Sequence, residues 1–127
     1  MAHHFTTRVY YEDTDMGGIV YHANYLKFIE RARSEWVEQI GLDQLALREA
    51  GLVFAVRRIT AEFHAPARLG DVLEVTTTPK SVTAARLGLH QQVHLGKALL
   101  FEADIELVAM TLAGRPTRLP PEIRAFG

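Results

Sequence analysis

Hydrophobic and polar positions change period twice along the chain. From Phe5 to Glu12 the residues are threonine, valine and tyrosine in alternation, the pattern of a half-buried strand, and Val9 and Tyr11 take the face opposite Arg8 and Tyr10. From Ala23 the period lengthens. Tyr25, Phe28, Ile29, Ala32, Trp36 and Ile40 fall at helical spacing, and Lys27, Glu30, Arg31, Glu35 and Glu38 take the other side. The spacing predicts an amphipathic helix over about Ala23–Ile40, about 27 Å long at 1.5 Å per residue, with Asn24 as its N-cap and Gly41 as its stop.

After this helix, Leu42–Ala50 reads as a short helical connector with Leu42, Leu45 and Leu47 turned inward. Val53–Phe63 reads as a strand with Phe54, Val56, Ile59 and Phe63 as its apolar contributors, closed by Pro66. Val72–Thr78 is rich in β-branched residues and is expected to stop at Pro79. The cleanest alternation follows. Leu87, Leu89, Gln91, Val93 and Leu95 share one face, opposite Arg86, His90, Gln92 and His94; beyond Gly96-Lys97, Leu99, Phe101, Ala103, Ile105 and Leu107 oppose Glu102, Asp104 and Glu106. These two segments predict a hairpin. Pro116, Pro120 and Pro121 argue for an extended surface tail over about 114–127. The order of elements implies the α+β class, with an antiparallel sheet of about five strands over one helix, in a single domain spanning 1–127. The second sheet face and open strand edges invite self-association, so a homo-oligomer is expected.

Composition narrows the chemistry. The chain has 127 residues, 48% of them hydrophobic, enough for a real core. A net charge of −1 and a pI near 6.6 give no global drive toward nucleic acid or anionic membrane. There is no cysteine, which excludes disulfides, thiolate metal sites and a cysteine nucleophile. No signal-peptide pattern opens the chain and no apolar run reaches the roughly 18 residues of a membrane span, so a soluble cytoplasmic protein without membrane insertion is expected. His90 and His94 share a face without a third ligand, so no metal is expected, and no cofactor is called for.

The chemistry concentrates between strand and helix, in Tyr11-Glu12-Asp13-Thr14-Asp15, Gly17-Gly18 and Val20-Tyr21-His22. Carboxylates arrive at a glycine-bearing turn beside the free amides and positive end of a helix. That combination suits acyl chemistry, although an acidic pair before glycine also serves simply to brace a turn. With Asn24-Tyr25 and Glu30-Arg31-Ala32-Arg33, this stretch resembles the hotdog-fold acyl-CoA thioesterases of the 4-hydroxybenzoyl-CoA thioesterase superfamily, most nearly the Tol-Pal-associated branch. Phe63–Asp71, which carries Pro66-Ala67-Arg68, and the Arg115–Pro121 tail extend the likeness over nearly the whole chain.

The resemblance implies a hotdog fold, in which the sheet wraps one long central helix, and hydrolysis of acyl-CoA to free acid and CoA. It places the catalytic aspartate at Asp15, as general base or nucleophile, and the oxyanion-binding amide at His22, whose side chain joins Tyr11 as a further catalytic candidate. Asp13, Gly17 and Gly18 become supporting residues. Met16 stands where the family often has a smaller residue, which would narrow the acyl pocket. The resemblance also implies a dimer or dimer of dimers, with a site completed by a neighbouring subunit. Independently of family, Arg57, Arg58, Arg68, Lys80, Arg86 and Lys97 are candidates for CoA phosphates, though any one of them also reads as a solvated surface residue. Two other readings stay open at this stage: a non-hydrolytic acyl-thioester or partner-binding module linked to the cell envelope, and hydration of an enoyl thioester, whose local motif is not found.

Overall fold

A computed structural model describes residues 2–126. Its elements are β1 (His3–Arg8), a 3-10 turn (Tyr11–Asp13), α1 (Asn24–Gln39), α2 (Gln44–Glu49), β2 (Leu52–Phe63), β3 (Val72–Val82), β4 (Arg86–Leu95), β5 (Ala98–Thr111), β6 (Pro116–Thr117) and α3 (Pro121–Arg124). The sheet is antiparallel and six-stranded, in the order β1-β3-β4-β5-β2, and β6 pairs with β5 at Ala109–Thr117 and Met110–Pro116. The sixth strand is the addition to the expected five. Among the described residues, no helix is long and apolar enough to cross a membrane.

The helical period of α1 does what its apolar positions require. Phe28, Ile29 and Ala32 are fully buried, with Tyr25, Trp36 and Val37 nearly so, against β1, β3 and β4. The inward face of the sheet answers with Leu73 and Val75 of β3, Leu87, Leu89 and Val93 of β4, and Phe101, Ala103, Ile105 and Leu107 of β5. Strict alternation along β4 and β5 leaves Glu102, Asp104 and Glu106 on the outer face, facing His90 and Arg86 across the ladder. At its C-terminal end α1 closes as a Schellman motif: the amides of Gly41 and Leu42 return to the carbonyls of Glu38 and Val37 at 3.0 and 3.1 Å.

Several expectations are corrected. The first strand ends at Arg8 rather than Glu12, because the chain turns into the 3-10 segment, and Tyr11 is a turn residue, not a strand residue. Asn24 is not an N-cap. It lies inside the first turn, the cap position is Ala23 in helical conformation, and the Asn24 side chain is spent elsewhere. Leu45 points to solvent, 73% exposed, and only Leu42 is buried; the connector helix is started by Asp43, whose carboxylate accepts the amides of Leu45 and Ala46. Val56 and Phe63 are about half exposed, at 45% and 54%, because β2 is an edge strand.

Pro79 does not end β3. The β3–β4 ladder slips by one residue between Pro79 and Ser81, and among the described residues no strand pairs with β3 on its other side beyond Thr77, so the missing amide costs little. The tail is not an extended surface segment either. Leu119 and Ile123 are buried to 1% and 0%, Pro121 opens α3 at the position where a missing amide is harmless, and Phe126 packs on Trp36 with ring centres 5.5 Å apart. Met1 and Gly127, at the two ends of the expected domain, lie outside the described residues.

Candidate active site

The acidic stretch is shaped by backbone geometry. Val9 is clasped by the chain at the start of β3, donating to Asp71 O at 2.8 Å and accepting from Gly70 N at 2.9 Å. After the 3-10 turn, Thr14 bridges Val20 and closes a small hairpin in which Asp15 N donates to Ile19 O at 2.9 Å. The Asp15 carboxylate folds back within the hairpin, where its Oδ1 accepts the Gly17 amide at 2.8 Å. Gly18 takes φ of 76°, a left-handed conformation that glycine adopts without strain, and a Cβ on Gly17 would stand only 3.2 Å from Asp15 Oδ1. Both glycines are therefore explained by the turn.

Asp13 is buried, and it holds the hairpin to the helix. Its Oδ2 accepts the Tyr10 amide at 2.8 Å, and its carbonyl accepts both Tyr21 N at 3.0 Å and Asn24 Nδ2 at 2.9 Å. Phe63–Asp71 holds the other side: Val20 N donates to Ala67 O at 2.8 Å, Ile19 bridges Arg68, and the Tyr25 hydroxyl accepts the Ala67 amide at 3.1 Å. Burial raises the Tyr25 phenol above its ordinary range, an effect the Ala67 amide opposes and Asp71 reinforces. At the start of α1, the amides of Asn24, Tyr25 and Leu26 are taken by the carbonyls of Tyr21, His22 and Ala23. Among the described residues, the amides of His22 and Ala23 have no acceptor, so the helix start presents free donors beside the Asp15 hairpin.

A pocket of about 290 Å³ opens here, lined by Ile19, Val20, His22, Tyr25, Phe63 and the His64–Pro66 segment. The His22 ring lies 4.6 Å from that of Tyr21 and 6.2 Å from that of Phe63. Phe63 in turn meets Tyr25 and Phe101 at 5.7 and 5.0 Å, so aromatic edges form the pocket wall.

Residues 9–127 match the thioesterase-like superfamily. The chain belongs to that family. It is 44% identical over 120 residues to a protein of Escherichia coli O6:H1 named acyl-CoA thioester hydrolase YbgC, covering 93% of this chain and 90% of the relative. A Haemophilus influenzae protein named acyl-CoA thioesterase YbgC is 37% identical over 123 residues, covering 95% and 90%. Among solved structures, a probable thioesterase from Bartonella henselae superposes with a TM-score of 0.91 at 36% identity, covering 94% of this chain and all of that one.

For a thioesterase-like protein the positions of the sequence candidates matter. Asp15, Gly17, Gly18 and the His22 amide are brought to one hairpin and helix start, with Asp13 beneath them. Tyr11 projects into solvent at 83% exposure and, like Asp15, does not line the pocket. The basic candidates are scattered. Arg68 sits beside the hairpin through its bridge to Ile19. Arg57 and Arg86 share Glu106 at 2.6 and 3.7 Å, Lys80 pairs with Asp104 at 3.2 Å, and Arg58 lies with Lys80 along a groove on the outer sheet face. Sequence reasoning passed over three contributors: Phe63 and His64, which line the pocket, and the Asn24 tether. The first two stand in a segment already notable for its aromatic residue and Pro66-Ala67-Arg68; the third carries no signal, because its partner is a carbonyl eleven residues away.

Proposed function

We propose that this protein is an acyl-CoA thioesterase, a hydrolase that releases a free acid and CoA. The observation that carries the reading is the hairpin itself, which fixes a carboxylate beside free helix-terminal amides and an aromatic-walled pocket, in a chain 44% identical to a named acyl-CoA thioester hydrolase. Hydrolysis needs an attacking group and a site for the oxygen that becomes negative. Asp15 supplies the first, either by drawing a proton from water or by attacking the carbonyl to form a mixed anhydride. The His22 amide supplies the second, since a preoriented donor stabilises the oxyanion without reorganising. The His22 ring and Tyr11 are the further catalytic candidates, Asp13, Gly17 and Gly18 hold the turn, and Arg68 is the basic candidate best placed for a CoA phosphate.

The same reading takes the sheet to wrap α1 as the central helix of a hotdog fold, in one domain over 1–127. It places the enzyme in the cytoplasm, where CoA thioesters are met, and in the Tol-Pal-associated branch on the strength of the Tyr11–Asp15 and Val20–His22 motifs. Tyr10, Tyr11, Met16, Tyr21, Phe63 and Leu69 are all large, apolar and exposed around the hairpin, which supports a second copy covering this face in a dimer or dimer of dimers. The test is thiol release from short, medium, long and aromatic acyl-CoAs by wild type and Asp15→Asn. Release lost in the variant supports the assignment; equal release by both proteins removes Asp15 from the mechanism, and none from the folded wild type removes the activity.

A further inference from the structure

A second cavity, also about 290 Å³, opens between the middle of α1 and the opposite end of the sheet, and it shares no lining residue with the pocket at the hairpin. Val37 of α1, Phe54 and Val56 of β2, Leu87 of β4 and Leu107 of β5 form an apolar wall, and Glu30, Arg33, Ser34 and Gln44 line the cavity as well. One cation faces this wall. The Arg33 guanidinium, with five donors available, makes one described side-chain hydrogen bond, from Nη1 to Gln91 Oε1 at 3.1 Å.

That partner is neutral and locked in place. Gln91 is fully buried, and its Nε2 donates to Ile29 O at 2.9 Å and to Thr77 Oγ1 at 2.8 Å, so its oxygen can only be presented toward Arg33. Among the described residues no carboxylate oxygen comes within 4.0 Å of the guanidinium. Glu30, exposed and one helical turn earlier, lines the same cavity and acts on Arg33 at longer range. Burial lowers the guanidinium from its ordinary range and Glu30 offsets only part of that, although an arginine keeps its charge at neutral pH. A half-buried cation with a neutral partner, facing an apolar wall across a cleft, is the complement of an anion on an apolar body.

We propose that the cleft between α1 and β2 binds a monocarboxylic acid with an aliphatic body, its carboxylate on Arg33 and its chain against Phe54, Val56, Leu87 and Leu107. The cavity lies at the lower end of the range for small-molecule sites, which suits a medium-length chain. The site is separate from the Asp15 hairpin, and its occupant belongs to the chemical class that thioester hydrolysis would release. Its binding does not depend on that activity.

The test is calorimetric titration with octanoate, octanol and octylamine. Octanoate is expected to bind at least about tenfold tighter than octanol, and octylamine not measurably. Arg33→Met should bring octanoate down to the octanol level, Glu30→Gln should tighten octanoate several-fold by removing the competing carboxylate, and Val56→Asp should abolish binding from the opposite wall. Equal affinity for octanoate and octanol overturns the proposal, as does octanoate binding unchanged in folded Arg33→Met. If Arg33→Met does not fold, Glu30→Gln and Val56→Asp decide the question alone: no tightening in the first and no loss in the second overturn it. A comparison of octanoyl-CoA with suberyl-CoA separates two sources of the carboxylate. A KM for suberyl-CoA alone that rises in Arg33→Met identifies the far end of a substrate chain, and an unchanged KM identifies the free acid. Octanoate binding that responds to Arg33 in a protein that releases no thiol supports this site and counts only against the thioesterase reading.

Discussion

The start and the middle of α1 are held by different forces. At the N-terminal end, position comes from hydrogen bonds: the Asp13 carbonyl takes Tyr21 N and Asn24 Nδ2, and the Tyr25 hydroxyl takes Ala67 N. Side chains there are free to face outward, and Tyr11, Asp15 and Met16 do. In the middle of the helix position comes mainly from volume, with Phe28, Ile29 and Ala32 sealed against the sheet, while Ile29 O and Arg33 share Gln91 and Glu35 lies 3.7 Å from His3. The difference shows how one helix serves two purposes. Directional bonds fix backbone atoms while leaving side chains available for chemistry, whereas close packing leaves none to spare.

The comparison predicts that substitutions in the two regions damage different properties. Asp15→Asn is expected to show the largest effect, a fall in kcat of roughly 10²–10⁴ with Tm unchanged, because its carboxylate is exposed and carries no packing. A marked loss of Tm would mean that the charge of the carboxylate, through its bond to the Gly17 amide, holds the hairpin as well. Phe28→Ala should do the reverse, costing about 3–5 kcal/mol in denaturant unfolding while the folded fraction keeps its kcat. Asn24→Ala sits between the two. It removes one bond to the Asp13 carbonyl, which keeps Tyr21 N, so the stability loss is about 1 kcal/mol. The loosened helix start should nonetheless lower kcat about tenfold with KM little changed.

The smallest effect belongs to the outer face of the sheet, where neither force operates strongly. His64 holds Glu102 below the ordinary glutamate value of 4.5, His90 holds Asp104 below the ordinary aspartate value of 3.8, and Lys80 adds to the second. A lowered folded pKa adds stability above the unfolded value and loses it as pH falls through the folded one. Wild type should therefore exceed the Glu102→Gln/Asp104→Asn variant by a degree or so in Tm at neutral pH. That margin should shrink as pH drops through 4.5 and below; a margin independent of pH would show that the pairs contribute nothing.

How much of this was legible beforehand depended on range. The alternation of β4 and β5 and the helical period of α1 were readable because each residue's side is set by its near neighbours in sequence, at periods of two and 3.6. Even Gln91 was placed on the buried face, although its partners Thr77, Ile29 and Arg33 were not foreseeable. The candidate site was legible as a motif, since Tyr11–His22 is contiguous and its glycines announce a turn. Its pocket was not, because Phe63 and His64 arrive from forty residues downstream.

The sequence by itself therefore determined which faces are apolar, where the long helix lies and which carboxylates gather at its start, all consequences of local periodicity and turn chemistry. The tertiary structure alone decided that Asn24 ties the helix to Asp13 rather than capping it, that Pro79 rides a bulge within β3, and that Leu119 and Ile123 bring a proline-rich tail into the core. Each of those outcomes depends on a partner distant in sequence. A residue's own propensity cannot report it, because the free energy lies in the contact rather than in the residue.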